Sequence, residues 1–249
     1  MDLFNKVSAR TLQWSAAVAL VAFPLAILPA RLGLWHFRNS FLIFIVAALV
    51  CLGILFFALM KLARQQLSGV NESKPLLLAA LCAALPLVVL AYQISQAASA
   101  PMLHDISTDT QNPPQFNLAR QQRSGDDHSV EYEPANAPIQ AEFYADLHSH
   151  TYSLAPDILA RQVTLAMSQV GLSSQGGVQS ADGILQLEAT ETSLLFGFVD
   201  DLVVRIKPVE GGSVLDIRSM SRQGKSDLGQ NAKRIRRLLA ALEENLARN

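Results

Sequence analysis

Three stretches in the first 95 residues, Leu12 to Ala30, Phe41 to Met60 and Pro75 to Ile94, are predominantly apolar and hold no Asp, Glu, Lys, Arg or His. Each is close to the ~20 residues a helix needs to cross the hydrocarbon core of a bilayer. Lipid offers the backbone no hydrogen-bond partner, so each stretch predicts a helix. Pro24, Pro29 and Pro86 fall inside them and are expected to kink them, which membrane helices tolerate. Trp14, Trp35 and Tyr92 lie near the predicted ends, where amphipathic rings favour the interface.

Charge divides the chain in the same place. Residues 1–95 sum to +5 and residues 96–249 to −6, which together give the net −1. Only 16% of residues are charged and the mean hydropathy is +0.24, against about a quarter charged in an ordinary soluble domain. A uniform soluble enzyme is disfavoured. A nucleic-acid binder is too, because the acidic part would repel phosphate.

Basic residues also predict an orientation. Lys6, Arg10, Lys61, Arg64 and Lys74 flank the stretches on one side, Arg31 and Arg38 on the other, and no further Lys or Arg occurs before Arg120. The positive-inside rule then puts the N-terminus and the 61–74 loop in the cytoplasm and the C-terminal part across the membrane. In a Gram-negative host this is an inner-membrane protein with a periplasmic domain. A cleaved signal peptide is the competing reading of the first stretch. Leu28-Pro29-Ala30 matches a small-x-small site poorly, and cleavage would leave the C-terminal side unchanged. The spans lack the ionisable groups that transport pathways use, which favours an anchor. Both cysteines, Cys51 and Cys82, lie within spans, so the outer part has neither a disulfide nor a thiol nucleophile.

After a short linker at 96–103, residues 104–142 are Pro- and polar-rich without helical or strand period, and 121–137 reads as an exposed loop. Order becomes legible from Tyr144. Pro156 and Asp157 suit a helix start, Leu159, Val163, Ala166 and Val170 share one face, and Gly171 can end the helix. Four strands are expected: Ile184–Thr190, a central Leu194–Val199, Leu202–Lys207 and Val214–Met220. Placing Arg205 opposite Asp216 pairs Val204 with Ile217 and Ile206 with Leu215 on the buried face, leaves the charged pair on the outer one, and brings Asp200 and Asp201 close to 220–222. A final helix begins near Asp227, a candidate cap with Gln230 three residues on. Ile235, Leu238, Leu239, Leu242 and Leu246 form its apolar stripe. The expected fold is α+β: three N-terminal transmembrane helices (1–95), a linker and irregular segment (96–143), and a helix-on-antiparallel-sheet core (144–249).

Candidate chemistry concentrates where the last strand passes into the last helix. A candidate anion-binding or ion-pair cluster comprises Asp200, Asp201, Arg205, Arg218, Ser219, Ser221, Arg222, Gly224, Ser226, Asp227, Gly229, Asn231 and Arg234. A helix N-terminus attracts anions, and Arg218, Arg222 and Lys225 add donors. The competing reading is structural, with Asp227 as cap and Arg218 and Arg222 paired with Asp200 and Asp201. The spacing is not that of a P-loop. Asp200 and Asp201, adjacent on a strand, point to opposite faces and form no natural dyad. A second, membrane-proximal motif is His104, Asp105, Ser107, Thr108 and Asp109, read as structural docking before catalysis. His148 and His150 would share a face, but zinc needs further ligands and none is signalled. No catalytic set, cofactor or metal site is assigned.

The same residues carry a resemblance. His104-Asp105-Ile106-Ser107-Thr108-Asp109, Pro113-Pro114-x-Phe116, Leu187-Glu188-Ala189-Thr190, Phe198 to Ile206 and Arg218-Ser219-x-Ser221-Arg222-x-Gly224-x-Ser226-Asp227-Leu228-Gly229-x-Asn231-Ala232-x-Arg234-Ile235 resemble the family known as domain of unknown function 1499, over about residues 100–247. Members are similar in being bacterial or plastid proteins, some with membrane spans in front. The family's Tyr-Pro-Asp stands here as Tyr144-Ala145-Asp146, and an aromatic residue usual after the Gly171 region is missing. The resemblance implies a domain identity and no mechanism. The expected function is a membrane-anchored, extracytoplasmic binding domain for a lipid, an anionic small molecule or an envelope protein, with the bilayer as partner and no nucleic acid. The alternative is a membrane-anchored hydrolase or transferase acting on an anionic envelope component.

Overall fold

The structure, a computed structural model, describes residues 7–68 and 72–248. Lys6, counted above among the basic flanks, lies outside the described residues. The chain divides into two compact units: Met1–Ser95 with Leu194–Gly197, and Gln96–Ser193 with Phe198–Asn249.

The first unit is helical. Helix α1 is Ala9–Arg31, α2 is Phe37–Ser68 and α3 is Ser73–Ala98. All three are long and apolar enough to cross a membrane, and each contains one of the stretches read from the sequence. The Ser8 hydroxyl caps α1 by accepting from the Thr11 amide at 3.0 Å, and the helices continue through Pro24, Pro29 and Pro86. Their shared seam is built largely from small side chains, Ala16 and Ala19 with Ala47, Ala48, Cys51 and Ala58, then Ala79 and Ala83. In lipid no hydrophobic force drives helices together, and small residues let backbones approach closely enough for dispersion to do so. Larger residues such as Val18, Leu49 and Leu81 point outward and are more than 60% exposed. In water that would be costly; against acyl chains it is neutral.

The second unit is an α+β domain. Its described residues include six strands in one antiparallel sheet: β1 Asp105–Ser107, β2 His150–Tyr152, β3 Ser173–Gln179, β4 Leu185–Thr192, β5 Val199–Val209 and β6 Gly212–Ser221. The order across the sheet is β1-β6-β5-β4-β3, and β2 pairs with the same edge of β6 as β1, opposite residues 213–215 where β1 lies opposite 218–220. The helices are α4 Leu118–Gln122, α5 Asn136–Phe143, α6 Pro156–Gln169 and α7 Gln230–Ala247. The proposed pairing of β5 with β6 is found as drawn: Arg205 opposite Asp216, Val204 opposite Ile217, Ile206 opposite Leu215. Leu202, Val204, Ile206, Leu215 and Ile217 face Leu159, Val163 and Ala166 of α6 and Ile235, Leu238 and Leu242 of α7. Each is at most 1% exposed, so each large aliphatic contributes about 1.5–3 kcal/mol of burial.

Four expectations need correction. Leu194–Val199 is not a central strand: residues 194–196 are a turn, Gly197 has φ +71°, and β5 begins only at Val199. Its continuous apolar character misled, since an exposed apolar tip and a buried strand look alike in sequence. Strand β3 has no strand signature, being Ser-Ser-Gln-Gly-Gly-Val-Gln. It forms because β4 offers a free edge, with a bulge at Gln175 that Gly176 absorbs at φ +124°. The 121–137 segment is not simply an exposed loop. With α4 and α5 it covers the second face of the sheet, and Phe116, Ala119 and Val130 pack there on Val203 and Met220. The face assigned to exposed charge pairs is therefore interior: Arg205 is 6% exposed and Asp216 fully buried. Finally, α7 starts at Gln230 after Gly229 at φ +78°. The Asp227 carboxylate accepts from the Gly229 and Asn231 amides at 2.8 and 2.7 Å, so it serves the helix start without the expected partner Gln230.

Candidate functional site

Asp200 and Asp201 follow the alternation of β5 and point to opposite faces, where each anchors a separate arginine cluster. On the face that carries α7, the Arg234 guanidinium donates to Asp200 Oδ2 and Glu191 Oε2, both at 2.5 Å, to Ser219 Oγ at 2.9 Å and to Asn231 Oδ1 at 2.5 Å. Asn231 Nδ2 in turn donates to the His104 carbonyl at 3.0 Å and Ser221 Oγ at 3.1 Å. Arg237 donates to the other oxygen of Glu191 at 2.7 Å. Burial pulls the Glu191 carboxyl upward, but Arg234 and Arg237 outweigh it and hold it below the usual carboxylate range.

On the other face, Asp201 receives two arginines. Arg123 donates to Oδ2 at 2.9 and 2.7 Å, and Arg222 reaches both oxygens at 2.7–3.2 Å. Arg218, wholly buried, makes a bidentate pair with Asp105 at 2.9 and 2.8 Å and donates to the carbonyls of Pro114 and Val130 at 3.1 and 2.8 Å. Its guanidinium stacks 4.9 Å from the Phe116 centroid and 5.4 Å from that of Tyr132. Farther along, Arg205 bridges Asp216 at 2.7 Å and Asp109 at 2.9 Å. Burial raises the Asp216 carboxyl, yet Ser149 and Arg205 bring it below its ordinary value.

The membrane-proximal motif is woven into the same end. Ser107 Oγ donates to the Asp109 carbonyl at 2.9 Å, and the Thr108 hydroxyl accepts from the Ile217 amide at 2.8 Å. The His104 ring stacks on His128 with centroids 4.1 Å apart, and His128 Nε2 lies 2.9 Å from the Gly224 carbonyl. Burial, then the neighbouring His128, lowers the His104 pKa. Ser226 Oγ donates to the Pro101 carbonyl at 3.2 Å, and the Asp227 amide to the Leu103 carbonyl at 2.9 Å. Burial raises the Asp227 carboxyl, against the two amides it accepts from. Leu228 (φ +55°) and Gly229, both left-handed, turn this loop into α7.

Sixteen of the eighteen candidate residues thus lie at or beside one end of the sheet, and the other two, Arg205 and Asp109, meet Asp216 nearer its middle. The pairing differs in part from expectation. Arg222 does bind Asp201, whereas Arg218 binds Asp105 and Asp200 is held by Arg234. Arg218 and Arg234 donate through all three guanidinium nitrogens, so an anion would have to displace an internal acceptor to reach them, whereas Arg222 donates, among the described residues, through Nε and Nη2 only. His148 and His150 do share a face, with ring centroids 5.0 Å apart. No group of three or more His, Cys, Asp or Glu suited to a metal occurs among the described residues.

Sequence reasoning missed Arg123, Glu191, Gln140 and Glu188. Gln140 bonds both the amide and the carbonyl of Ser107 at 3.0 and 2.6 Å. Glu188 accepts from the amides of Asn117, Leu118 and Ala119 at 2.7–2.9 Å. A signal existed for Glu188, which stands in one of the motif segments, but nothing local distinguishes a carboxylate that serves a distant backbone. Tyr132 was also missed. Its hydroxyl is buried without a hydrogen-bond partner, and burial pushes its pKa up to about 12.

A family model described as Protein of unknown function (DUF1499) matches residues 105–242, more than half of the chain. The match runs from the first residue of β1 to Leu242 in α7 and includes both arginine clusters. No curated protein and no solved structure matches.

Proposed function

The chain belongs to the DUF1499 family, whose function is unknown, and from that premise we propose that it is a membrane-anchored, non-catalytic domain that meets lipid on the extracytoplasmic side of the inner membrane. The observation that carries this reading is how the family-matching arginines and carboxylates are used. Asp105, Asp200, Asp201 and Glu191 are each held by one or two arginines within the domain. A general base or nucleophile needs a carboxylate poised near substrate, and an anion clamp needs unspent donors. Here both kinds of group close on each other and join the two faces of the sheet to its neighbours. What such a scaffold presents is a shaped surface on a domain that follows three candidate membrane helices in the chain. The hydrolase or transferase reading would rest on Asp200, Asp201 or His104 with Arg218 and Arg222, but Asp200 and Asp201 diverge to opposite faces and the His104 ring stacks on His128. The anionic-ligand reading would need Arg218 or Arg234 to exchange an internal partner, or would have only the Nη1 group of Arg222 to use.

Orientation is part of the proposal and rests on the bias of Lys and Arg toward the N-terminal segment and the 61–74 loop.

Photo-crosslinking tests the lipid reading. Full-length protein in native membranes is loaded with a diazirine-bearing phosphatidylethanolamine, irradiated and digested. Lipid-modified peptides from residues 96–249 are expected in addition to those from the spans. Modification confined to residues 1–95 would remove the lipid reading and leave a protein partner as the candidate.

A further inference from the structure

We propose that the β4–β5 turn, Leu194-Leu195-Phe196, dips into the headgroup–acyl boundary of the bilayer and gives the sheet domain a second membrane contact besides its tether. The proposal deepens the lipid reading above and rests on it.

The tip is apolar where a water-facing turn is normally polar. Leu194 is 83% exposed and Leu195 42% exposed, side by side. Single exposed apolar residues are ordinary on any protein surface; adjacent ones at a projecting turn mark a contact site. The end of β4 that leads into the turn is polar. Glu191, Thr192 and Ser193 precede the turn, and on the other side the apolar run continues through Phe198 and Val199 before Asp200 ends it.

Sheet topology says which end of the domain the tip belongs to. One row crosses the sheet from Asp105 to Met220 to Asp201 to Thr190. The chain arriving from α3 enters β1 at Asp105, and β1 runs from that row inward. Strand β4 runs outward past the same row and continues directly into the turn. The tether and the apolar tip therefore leave the sheet from the same end, while the Glu210-Gly211 turn lies at the opposite end of β5. Only six residues separate Ala98 of α3 from Asp105, a reach of about 20 Å when fully extended. That end is thereby confined near the bilayer, and confinement raises the effective concentration of a weak second contact.

The surroundings suit an interface. Met102, in the entering segment, is 70% exposed. The carboxylates of this end that a lipid surface would repel, Asp105, Asp200, Asp201 and Glu191, are all ion-paired. Lys225 is exposed in the loop whose Ser226 bonds the Pro101 carbonyl, at a level where a cation favours anionic headgroups.

The test uses full-length protein in nanodiscs of phosphatidylethanolamine and phosphatidylglycerol, with Cys51 and Cys82 replaced by Ala. A nitroxide is attached to Leu194→Cys or, as the water-facing control, to Glu210→Cys, and its collisions with oxygen and with a soluble nickel chelate are read by electron paramagnetic resonance. The ratio of oxygen to nickel access is expected to rise at position 194 relative to position 210. Equal ratios, or a label at 194 shielded from both reagents, would overturn the proposal. Wild-type protein gives an independent reading: a diazirine lipid should modify the peptide holding residues 193–198, and Leu194→Ser with Leu195→Ser should abolish that product. Lipid adducts elsewhere in residues 96–249 with a water-accessible tip would sink this contact and leave the lipid reading standing.

Discussion

Arg218 shows at residue scale why this domain tolerates so many charges inside it. A buried guanidinium is expensive unless every donor is met, and here a carboxylate, two carbonyls and two rings meet it. Removing it alone strands Asp105, which is 1% exposed. Arg218→Met is therefore expected to cost about 3–5 kcal/mol, read by thermal unfolding of the full-length protein in nanodiscs. Adding Asp105→Leu should restore part of that loss, because the stranded charge is then gone. If the double variant is as unstable as the single, the pair is not what the arginine chiefly supports. His104 is a second residue-scale case. Burial and the stacked His128 lower its pKa below 6.5, with Arg123 acting the same way and Asp105 and Glu133 opposing. Between the folded value and 6.5 the unfolded chain binds more protons than the folded one, so stability rises with pH. The contribution is complete above 6.5 and is lost as pH falls through the folded-state value. Melting temperature should drop on acidification through this window, and His104→Asn should flatten the drop. An unchanged slope would show that other groups carry it, His150 being the first to examine since burial lowers its pKa too.

Elements differ sharply in how much of their reason lies within their own residues. Helix α7 was legible because its stripe repeats at helical spacing and its start is marked by Asp227. The β5–β6 pairing was legible because charge and apolar pattern demanded the same register. Strand β3 was not, since its seven residues have little strand preference and are held by the edge of β4. Nor was the segment from Pro113 to Val130, which keeps its shape through partners about 70 to 100 residues away. Glu188 holds three amides at the start of α4, and Arg218 holds the carbonyls of Pro114 and Val130. Such contacts leave no periodic trace. The candidate cluster was legible as a set of residues but not as a set of pairs, because the arginine and carboxylate spacings allow several matchings and only the fold selects one. Glu188→Ala tests the point at this scale. Orphaned buried amides cost about 1–3 kcal/mol, and the cost should fall locally, as faster hydrogen exchange over residues 113–123 with β5 and β6 unchanged. Uniform acceleration across the sheet would mean that this covering layer and the sheet open as one unit.

For the molecule as a whole, the question is which side of the membrane receives the sheet domain, and the decisive groups are few. Lys6, Arg10, Lys61, Arg64 and Lys74 lie on one side of the three spans, against Arg31 and Arg38 on the other. Orientation follows Lys and Arg near the ends of spans, while acidic residues contribute little, so the −6 of the C-terminal part neither helps nor hinders translocation. With a bias of five to two, a C-terminal alkaline phosphatase fusion should be active and a C-terminal green fluorescent protein fusion dark. The bias is also small enough to erase. Replacing Lys61, Arg64 and Lys74 with Asn leaves two basic residues on each side, and the fusions should then report a mixture of orientations. If that triple variant keeps a single orientation, signals beyond charge balance set the topology. If the unmodified chain shows a fluorescent, phosphatase-inactive tail, the domain faces the cytosol, and its contact with lipid would have to be sought on the inner leaflet.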